Sequence, residues 1–329
     1  MPARSWVNRY FCLRTKVNGF WKNSQLRRAG KASANMEAFC KVISKGVIMS
    51  LLNTIIDTKP PELLYHYTSP AGLFGIITNT SIWATNIHYL NDSAEFYYAF
   101  NLLNNKLDPR EFEENFILLV KEFAFQIKET NRFVFSLSES EDLLSQWRGY
   151  CPSTGGYSLG FDSNKLLNII GKNHEFHLYP CQYEIEVQKR LIKEFLETAY
   201  SDYKEVKTKE TDQAEIKKIL WQKIPTKLGI IAAIIKEPCW SEEKEWRIIS
   251  LDSIPITDPR FNLRPGKHNL VPYLEIPLGY TAEEWPFKKL KVGPNPQQQM
   301  ASKSASMLFS VKKIKGFEIS KSPTPYREC

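Results

Sequence analysis

The sequence Leu64-Tyr65-His66-Tyr67-Thr68-Ser69 decides how the chain is organised, because an alternating run of apolar and aromatic residues ends there in a polar cluster. On a β-strand the two tyrosines lie on one face, and the histidine shares the other face with the leucine. The apolar segment that follows predicts a helix over 70–78, which Thr68 or Ser69 caps. His66 therefore lies at the end of a strand, beside the first turn of a helix. Two interpretations stay open: the imidazole contacts a ligand, or it is a core group bonded to a backbone carbonyl.

The composition is that of a soluble folded protein. The chain has 329 residues, of which 43% are hydrophobic and 24% are charged, which is ordinary for one large domain or two smaller ones. No apolar run is long enough to cross a membrane, and the longest, residues 228–235, predicts a buried helix or strand. We therefore expect no membrane contact and a cytoplasmic location.

The cysteines and histidines give little support for a metal site. The six cysteines are scattered and form no C-x-x-C pair, so we expect reduced thiols and no structural zinc. His174 and His177 are a weak indication of a metal site, but no carboxylate motif accompanies them. A surface loop is the simpler interpretation of this pair, and no bound metal is expected.

The positive charge of the chain is concentrated near its N-terminus. Residues 1–48 contain ten lysines and arginines and the single acid Glu37, whereas residues 49–329 are close to neutral. The net charge of the chain is therefore no argument for nucleic-acid binding by residues 49–329. Three interpretations of this basic N-terminal extension stay open: a disordered tail that contacts an acidic partner, a transit-like peptide, or upstream sequence that is not native, with Met36 or Met49 as the true start.

Residues 49–329 predict a single α+β domain with a compact mixed or antiparallel sheet, because short strands and helices follow each other without a regular βαβ rhythm. Two helices, over 188–203 and 212–235, are joined by a linker rich in lysine and glutamate at 204–211. Together they predict a helical insertion of about residues 188–235. Strands are predicted at 64–69, 81–85, 132–138, 157–161, 178–187, 245–250, 271–276 and 290–294.

Polar residues interrupt the apolar strands at four places. In a strand, Glu243, Glu245 and Arg247 share one face, and two carboxylates with an arginine are unusual for a core face. This row is either functional or a solvated strand edge, and both interpretations stay open. The other three places are His66 with Tyr67 and Thr68, Trp83 with Thr85, and Gln146 with Trp147 and Arg148.

The sequence lacks the signatures of several common enzyme classes. It contains no glycine-rich phosphate loop of the Walker or Rossmann type and no H-E-x-x-H motif. Dehydrogenase and kinase interpretations therefore have no motif to support them.

Nine short motifs follow one another between residues 62 and 328. They are Leu64-Tyr65-His66-Tyr67-Thr68-Ser69, Ile82-Trp83-Ala84-Thr85, Leu90-Asn91-Asp92 with Glu95, Phe135-Ser136-Leu137-Ser138, Ser145-Gln146-Trp147-Arg148, Leu159-Gly160-Phe161-Asp162, Glu243-Lys244-Glu245-Trp246-Arg247, Val292-Gly293-Pro294 and Pro325-Tyr326-Arg327. In this order the motifs resemble a bacterial domain family of unknown function, number 2971. The resemblance begins after Met49, which favours that methionine as the start.

The opening of the chain also resembles, more loosely, the NAD-dependent ADP-ribosyltransferases of the DNA-modifying toxin type. The strand with His66, the glycine-containing helix after it, the short strand with Thr85 and the later glutamate Glu245 carry this second resemblance. It implies a sheet core of the ADP-ribosyltransferase type and NAD as the substrate.

This second resemblance gives roles to individual residues. His66 would bind a hydroxyl of the adenosine ribose, and Tyr67 or Trp83 would stack on nicotinamide. Glu245 would bind the nicotinamide ribose and stabilise a transition state with oxocarbenium character. Glu243 would orient or deprotonate the acceptor. Thr68 and Thr85 are further candidate NAD contacts. The pyrophosphate of NAD needs a cation, which Arg148, Arg247 or Arg327 would supply, and structural ion pairing of Arg148 and Arg327 stays open as the alternative.

The leading functional hypothesis is therefore an ADP-ribosyltransferase that acts as a toxin or as a phage-defence effector. Its acceptor is a protein or a nucleic acid, and a partner protein of a defence system fits the same hypothesis. Two alternatives stay open: a non-catalytic module of the same fold that senses a nucleotide or a partner, and a nucleic-acid-binding protein that uses the basic N-terminal extension.

Overall fold

The computed structural model describes residues 50–90, 93–151, 155–172, 175–266, 268–279 and 284–324. The basic N-terminal extension lies outside these residues, so the interpretations of it stay predictions. Arg327 and His174 also lie outside them.

Ten α-helices and ten β-strands form in the described part of the chain. The helices are α1 (Ser50–Ile56), α2 (Pro70–Asn79), α3 (Ser93–Asn104), α4 (Glu114–Lys128), α5 (Leu144–Tyr150), α6 (Ser163–Gly171), α7 (Ile185–Lys209), α8 (Gln213–Trp221), α9 (Ile224–Ile234) and α10 (Gln298–Val311). The strands are β1 (Leu63–Thr68), β2 (Ser81–Asn86), β3 (Phe133–Ser138), β4 (Tyr157–Asp162), β5 (Phe176–Pro180), β6 (Glu245–Ser250), β7 (Phe261–Pro265), β8 (Leu270–Pro277), β9 (Phe287–Val292) and β10 (Glu318–Lys321). They form one open mixed sheet, which confirms the predicted α+β class.

Strand β3 is the branch point of the sheet. β6 pairs with it from Val134 to Ser138 and so occupies one of its edges. On the other edge, β2 pairs with Val134 near the start of β3, whereas β1 pairs with Ser138 at its end. The sheet therefore divides along this edge into two arms, one through β1, β4, β9 and β10 and the other through β2, β8 and β7. β5 pairs with the free side of β6.

The two faces of the sheet differ in character. Alternate strand positions, such as Leu64, Phe135 and Ile248, belong to the main hydrophobic core, which α2, α6 and α10 cover with buried apolar side chains. The intervening positions form a second face, which we call the polar face. Its residues include Tyr65, Tyr67, Trp83, Thr85, Ser136, Ser138, Glu245, Arg247 and Tyr273.

Three helices, α7, α8 and α9, lie between β5 and β6, where the sequence predicts a helical insertion, but their boundaries differ from the prediction. The linker predicted at 204–211 is wrong, because α7 continues to Lys209. Val206 is buried, and the charged residues around it form helical pairs such as Glu205 with Lys209. Lysine and glutamate are good helix formers, so a charged stretch prolongs a helix that has one buried side.

One further helix and two strands also differ from the prediction. The helix predicted over 212–235 is two helices, since Pro225 lies in the first turn of α9 and lacks the N–H that a continuous helix needs. The strand predicted over 178–187 ends at Pro180, and the chain turns into α7. β7 was not predicted because its mostly exposed side chains give no apolar alternation.

The longest apolar run is buried, as predicted. Residues 228–234 of this run form the second part of α9, and Ile235 follows the helix as a buried residue. No helix in the described ranges combines the length and the apolar composition that crossing a membrane requires.

The join between β1 and α2 is tight and fixes the end of the His66 strand. Ser69 caps α2, because its side chain accepts a hydrogen bond of 3.1 Å from the Gly72 N–H, and Pro70 follows in the first turn. A Cβ on Gly72 would lie 2.0 Å from the hydroxyl oxygen of Thr68, so the helix approaches the strand as closely as only glycine permits. The alternative cap, Thr68, is instead buried in this join.

Removal of the cap should therefore destabilise the protein. We expect Ser69→Ala to lower the free energy of unfolding by about 1 kcal/mol, because the Gly72 N–H loses its acceptor. Urea denaturation measures this change. Ser306→Ala is the control, since Ser306 lies exposed within α10 and alanine is the better helix former there. Equal losses in the two variants would contradict the capping role.

Candidate functional site

His66 lies where the sheet divides. Its Nδ1–H donates a hydrogen bond of 2.9 Å to the carbonyl of Ser136, which lies on β3 between the positions that pair with β2 and β1. The ring stacks on Phe135, with centroids 4.2 Å apart. A carbonyl oxygen only accepts, so Nδ1 carries the proton and Nε2 is left as an acceptor. His66 is thus bonded to a backbone carbonyl and keeps one ring nitrogen for a ligand.

The imidazole of His66 is neutral at physiological pH. Burial lowers its pKa to about 4; the hydrogen bond to Ser136 opposes this change, and the positive charge of Arg264 adds to it. A neutral ring with a free Nε2 accepts a hydrogen bond from a hydroxyl group. It does not supply a cation for a phosphate.

Four buried charges form a cluster on the polar face, which we call the ion cluster (Lys236, Glu243, Glu245 and Arg247). Lys236 donates to Glu243 at 2.6 Å and to Glu245 at 2.7 Å. Arg247 grips Glu245 with two nitrogens, at 2.7 and 3.0 Å, and donates to the carbonyl of Ala233 at 2.7 Å. Lys236 is 1% exposed and the other three side chains are similarly buried. The cluster contains two positive and two negative charges, so it balances internally.

The cations of the cluster keep Glu245 ionised. Burial alone raises the pKa of Glu245, but the charges and hydrogen bonds of Arg247 and Lys236 outweigh burial and bring the pKa down to about 2. Glu245 therefore holds a fixed negative charge at every physiological pH. A group with such a pKa is a poor general base near neutral pH.

The chain turns between Glu243 and Glu245 at Lys244, whose backbone has the left-handed conformation. Glu243 ends a 3₁₀ helix, Lys244 has a φ of 41°, and Glu245 begins β6. The prediction that Glu243 shares a strand face with Glu245 and Arg247 is therefore wrong, because Glu243 precedes the strand. The carboxylates meet because Lys236 reaches both of them.

Sequence reasoning missed Lys236, although a signal was present. The lysine follows directly after the apolar run that ends at Ile235, and its backbone N–H bonds to the carbonyl of Gln182. A lysine tied to the end of a fully buried helix cannot reach solvent easily, so it needs an anionic partner. The acidic residues that follow it within ten positions supply that partner.

A cavity of about 30 Å³ joins His66 to the ion cluster. Gln146 and Tyr150, both from α5, form part of its wall, and Tyr150 is 38% exposed, so the cavity lies just under the surface. This volume holds about one water molecule, whereas a small-molecule site needs several hundred Å³. A ligand larger than a water molecule therefore enters only if the cavity wall, which includes Tyr150, rearranges. The lining residues are Tyr65, His66, Tyr67, Ser136, Leu137, Gln146, Tyr150 and Glu245.

A second group of polar and aromatic residues lies on the arm that begins with β2. We call Trp83, Thr85, Arg264 and Tyr273 the arginine–aromatic group. Trp83 packs against Tyr273 with ring centroids 4.8 Å apart. The Arg264 guanidinium lies 5.5 and 5.9 Å from these two centroids and donates to the Thr85 hydroxyl at 2.9 Å. The sequence indicated Trp83 and Thr85, but Arg264 was missed together with its strand, β7.

Two predicted NAD contacts have other roles in the fold. Tyr67 donates its hydroxyl hydrogen to the carbonyl of Ser140 at 2.7 Å, and its ring packs edge-on against Trp147. It is therefore held in place, and it is only 4% exposed. Arg247 has its guanidinium engaged with Glu245 and Ala233, so it is not available to a pyrophosphate.

The two other arginines predicted to contact NAD are Arg148 and Arg327. The first does not line the cavity, and the second lies outside the described residues. Arg148 is exposed on α5, and it is not among the residues that line the cavity. Arg327 lies in the C-terminal stretch that is not described. Arg148 therefore does not replace the contact that Arg247 cannot make, and the contact of Arg327 stays a prediction.

A further sequence pattern, that of a nucleophile elbow, does not form a catalytic site. Gly156-Tyr157-Ser158-Leu159-Gly160 has the spacing of a hydrolase nucleophile elbow, but Ser158 lies in the middle of β4 and is 0% exposed. An elbow needs its serine on a sharp turn, so this serine is no such nucleophile. No group of three or more metal-ligating side chains occurs among the residues described.

Comparison with known families extends the sequence observations. The sequence model of the family described as Protein of unknown function (DUF2971) matches residues 146–248. The matched region runs from α5 to β6 and contains the helical insertion and the whole ion cluster. It supports the family that the nine motifs resemble. No curated protein and no solved structure was found to match the chain.

The ion cluster should depend strongly on its lysine. We expect Lys236→Met to lower the free energy of unfolding by about 3–5 kcal/mol, because it leaves buried carboxylates without their cation. The double variant Lys236→Met/Glu243→Leu should regain a large part of this loss, since the Glu245–Arg247 pair stays intact. Urea denaturation of the two single variants and the double variant measures the coupling.

An exposed ion pair provides the control for this cycle. Lys209 pairs with Glu205 on the surface of α7, so Lys209→Met should leave the stability nearly unchanged. A loss for Lys236→Met as small as that for Lys209→Met would contradict the buried cluster. Additive effects of Lys236→Met and Glu243→Leu would contradict it as well.

The low pKa of His66 predicts a pH dependence of stability. Its pKa is about 4 in the folded protein, against an ordinary value of 6.5. Between these values the unfolded chain binds a proton that the folded chain does not, so stability falls as the pH is lowered through this window, by about 3 kcal/mol. His66→Asn keeps an N–H donor near Ser136 but does not titrate. Its unfolding free energy, measured from pH 7 to pH 4, should fall less steeply than that of the wild type; equal slopes would contradict the assignment.

Proposed function

We propose that the chain is an NAD-dependent ADP-ribosyltransferase whose site lies where the sheet divides. One observation carries the proposal: His66, with an acceptor nitrogen available, and Glu245, with a fixed negative charge, line the same cavity. Both groups accept hydrogen bonds from hydroxyls, and a ribose offers adjacent hydroxyls. An ADP-ribosyltransferase type of sheet, with a histidine on the first strand and a glutamate on a later one, is part of this proposal.

The proposed reaction breaks the bond between the nicotinamide nitrogen and C1′ of its ribose. Nicotinamide leaves with the bonding electron pair, which neutralises its positive charge. C1′ then bonds to an oxygen or nitrogen of the acceptor, and the proton of that atom is released. Positive charge develops on C1′ and the ring oxygen in the transition state, so a nearby fixed carboxylate lowers the barrier. Glu245 supplies that charge without being protonated.

The contacts of Glu245 define the role that the proposal gives it. Arg247 and Lys236 hold its carboxylate in one orientation, which favours electrostatic and positioning work over proton transfer. Glu243 is bonded to Lys236 and 4% exposed. Its proposed contact with the acceptor therefore requires this ion pair to open. Trp83 is partly exposed, whereas Tyr67 is 4% exposed, so the proposal gives the stacking role to Trp83, whose ring also contacts Tyr273 and Arg264.

A second candidate function is a non-catalytic sensor of a nucleotide. Two observations favour it: the carboxylate of Glu245 already accepts three hydrogen bonds from Arg247 and Lys236, and the cavity has a volume of about 30 Å³. A sensor needs binding that displaces Tyr150, but it needs no charge stabilisation at C1′. The same site thus serves either function.

The biological setting of the proposal rests on the motif resemblance alone. A toxin or phage-defence effector would modify a protein or a nucleic acid, with or without a defence-system partner. The basic residues of 1–48 would favour a nucleic-acid acceptor.

Nicotinamide release by the full-length protein tests the proposal. NAD labelled in the nicotinamide and in the adenine would be incubated with cell protein, DNA and RNA fractions. We expect release and label transfer by the wild type, and a decrease of about 100-fold or more for Glu245→Gln, because the transition state loses its fixed charge. Glu245→Gln should still bind ADP-ribose, whereas His66→Asn should bind it about tenfold more weakly.

The controls separate catalysis from folding. Lys209→Met changes a surface charge on α7 and should retain full release. Retained ADP-ribose binding by Glu245→Gln shows that the variant is folded. ADP-ribose binding without nicotinamide release by the wild type would favour the sensor. Absence of both binding and release would contradict the two candidate functions together.

A further inference from the structure

Arg264 is a partly buried cation without an anionic partner in the described part of the chain. Its hydrogen bond goes to the neutral hydroxyl of Thr85, and its guanidinium lies against the rings of Trp83 and Tyr273. Arg260, only four residues earlier, shows the usual arrangement, since it pairs with Asp258 and Glu175. The contrast marks Arg264 as a charge that the fold itself leaves uncompensated.

The position of Arg264 is held from several sides. Its backbone pairs with Val271 on β8, and its side chain crosses that strand to reach Thr85 on β2. The two aromatic rings hold the guanidinium by cation–π contact. Thr85 takes a hydrogen bond from one nitrogen, and a guanidinium has five N–H donors in all. Several donors therefore remain for a ligand.

The charge of Arg264 acts on a residue at the point where the sheet divides. Thr85, which it contacts, pairs with Val134 at the branch point of β3. Its positive charge lowers the pKa of His66, on the other arm. Burial in turn lowers the pKa of Arg264, as expected when a cation is partly removed from water without an anion. An anion placed here would compensate the charge of Arg264.

We propose that Arg264, oriented by Trp83, Tyr273 and Thr85, is a subsite for the phosphate groups of a nucleotide. A guanidinium binds phosphate oxygens in pairs, so one diphosphate satisfies the remaining donors. This subsite takes the role that sequence analysis gave to Arg247. It rests on the proposed function, because it extends the ribose contacts of His66 and Glu245 to the phosphates of the same ligand.

Calorimetric titration of the full chain with pyrophosphate, ADP and adenosine tests this subsite. Arg264→Gln should weaken the binding of pyrophosphate and ADP by about 10- to 100-fold, because it removes a charge-assisted pair of hydrogen bonds. Adenosine has no phosphate, so its affinity should not change. Arg264→Lys should give an intermediate loss, since it keeps the charge but not the paired donors.

Arg110→Gln is the control, because Arg110 is 89% exposed and pairs with Asp108. It should leave all three affinities unchanged. If Arg264→Gln folds poorly, the comparison of Arg264→Lys with the wild type still decides the question. A purely structural role of Arg264 would weaken the binding of adenosine and of ADP equally, whereas a phosphate subsite would weaken only the binding of ADP and pyrophosphate.

The outcomes separate the subsite from the proposed function. Unchanged pyrophosphate and ADP affinity in Arg264→Gln would overturn the subsite, even if the wild type released nicotinamide. Binding of pyrophosphate that depends on Arg264, without nicotinamide release, would support the subsite and contradict the transferase. Failure of the wild type to bind either phosphate probe would overturn the subsite.

Discussion

The structure depends on one backbone carbonyl, that of Ser136. Two strands diverge from the same edge of β3, and a residue between them has no strand partner on that side. A buried carbonyl without a partner is costly, so the divided sheet needs a donor there. His66 supplies it from β1. The same bond fixes the tautomer of the ring and leaves Nε2 as an acceptor at the point where the sheet opens.

The ion cluster links the helical insertion to this sheet. Lys236 comes from the segment after α9, and Arg247 of β6 donates to the carbonyl of Ala233 within α9. The orientation of Glu245 therefore depends on where α9 lies against β6. Since a buried ion pair is sensitive to the loss of either partner, a displacement of the insertion would change the charge facing the cavity. The helical insertion therefore contributes contacts to the candidate site.

The alternating pattern and the turn residues made much of the fold predictable. The faces of β1, the helix after Ser69 and the existence of the insertion follow from apolar spacing and capping chemistry. The course of α7 past Val206 could not be predicted, because one buried residue in a charged stretch is visible only once the helix is packed. β7 escaped notice for the opposite reason, since an exposed edge strand has no apolar alternation.

The site was predictable in its residue types but not in its connections. His66 and Glu245 stood out because polar residues are rare in apolar strands. Their neighbours Lys236 and Arg264 did not, because each becomes informative only through contacts across the chain. The sequence could show that carboxylates lie near Arg247. It could not show that Arg247 donates two hydrogen bonds to Glu245 and is therefore unavailable to a ligand. Within the described residues, Arg264 is instead a cation that lacks an anionic partner beside the predicted Trp83 and Thr85.

The protonation state and ligand response of His66 test the central claim most directly. Nitrogen-15 NMR of the histidine rings in the full-length protein distinguishes the two tautomers and the cation. We predict that at pH 7 the proton of His66 is on Nδ1, and that the Nε2 resonance shifts when ADP-ribose is added. A proton on Nε2, a charged ring at pH 7, or an Nε2 resonance indifferent to ADP-ribose would contradict it.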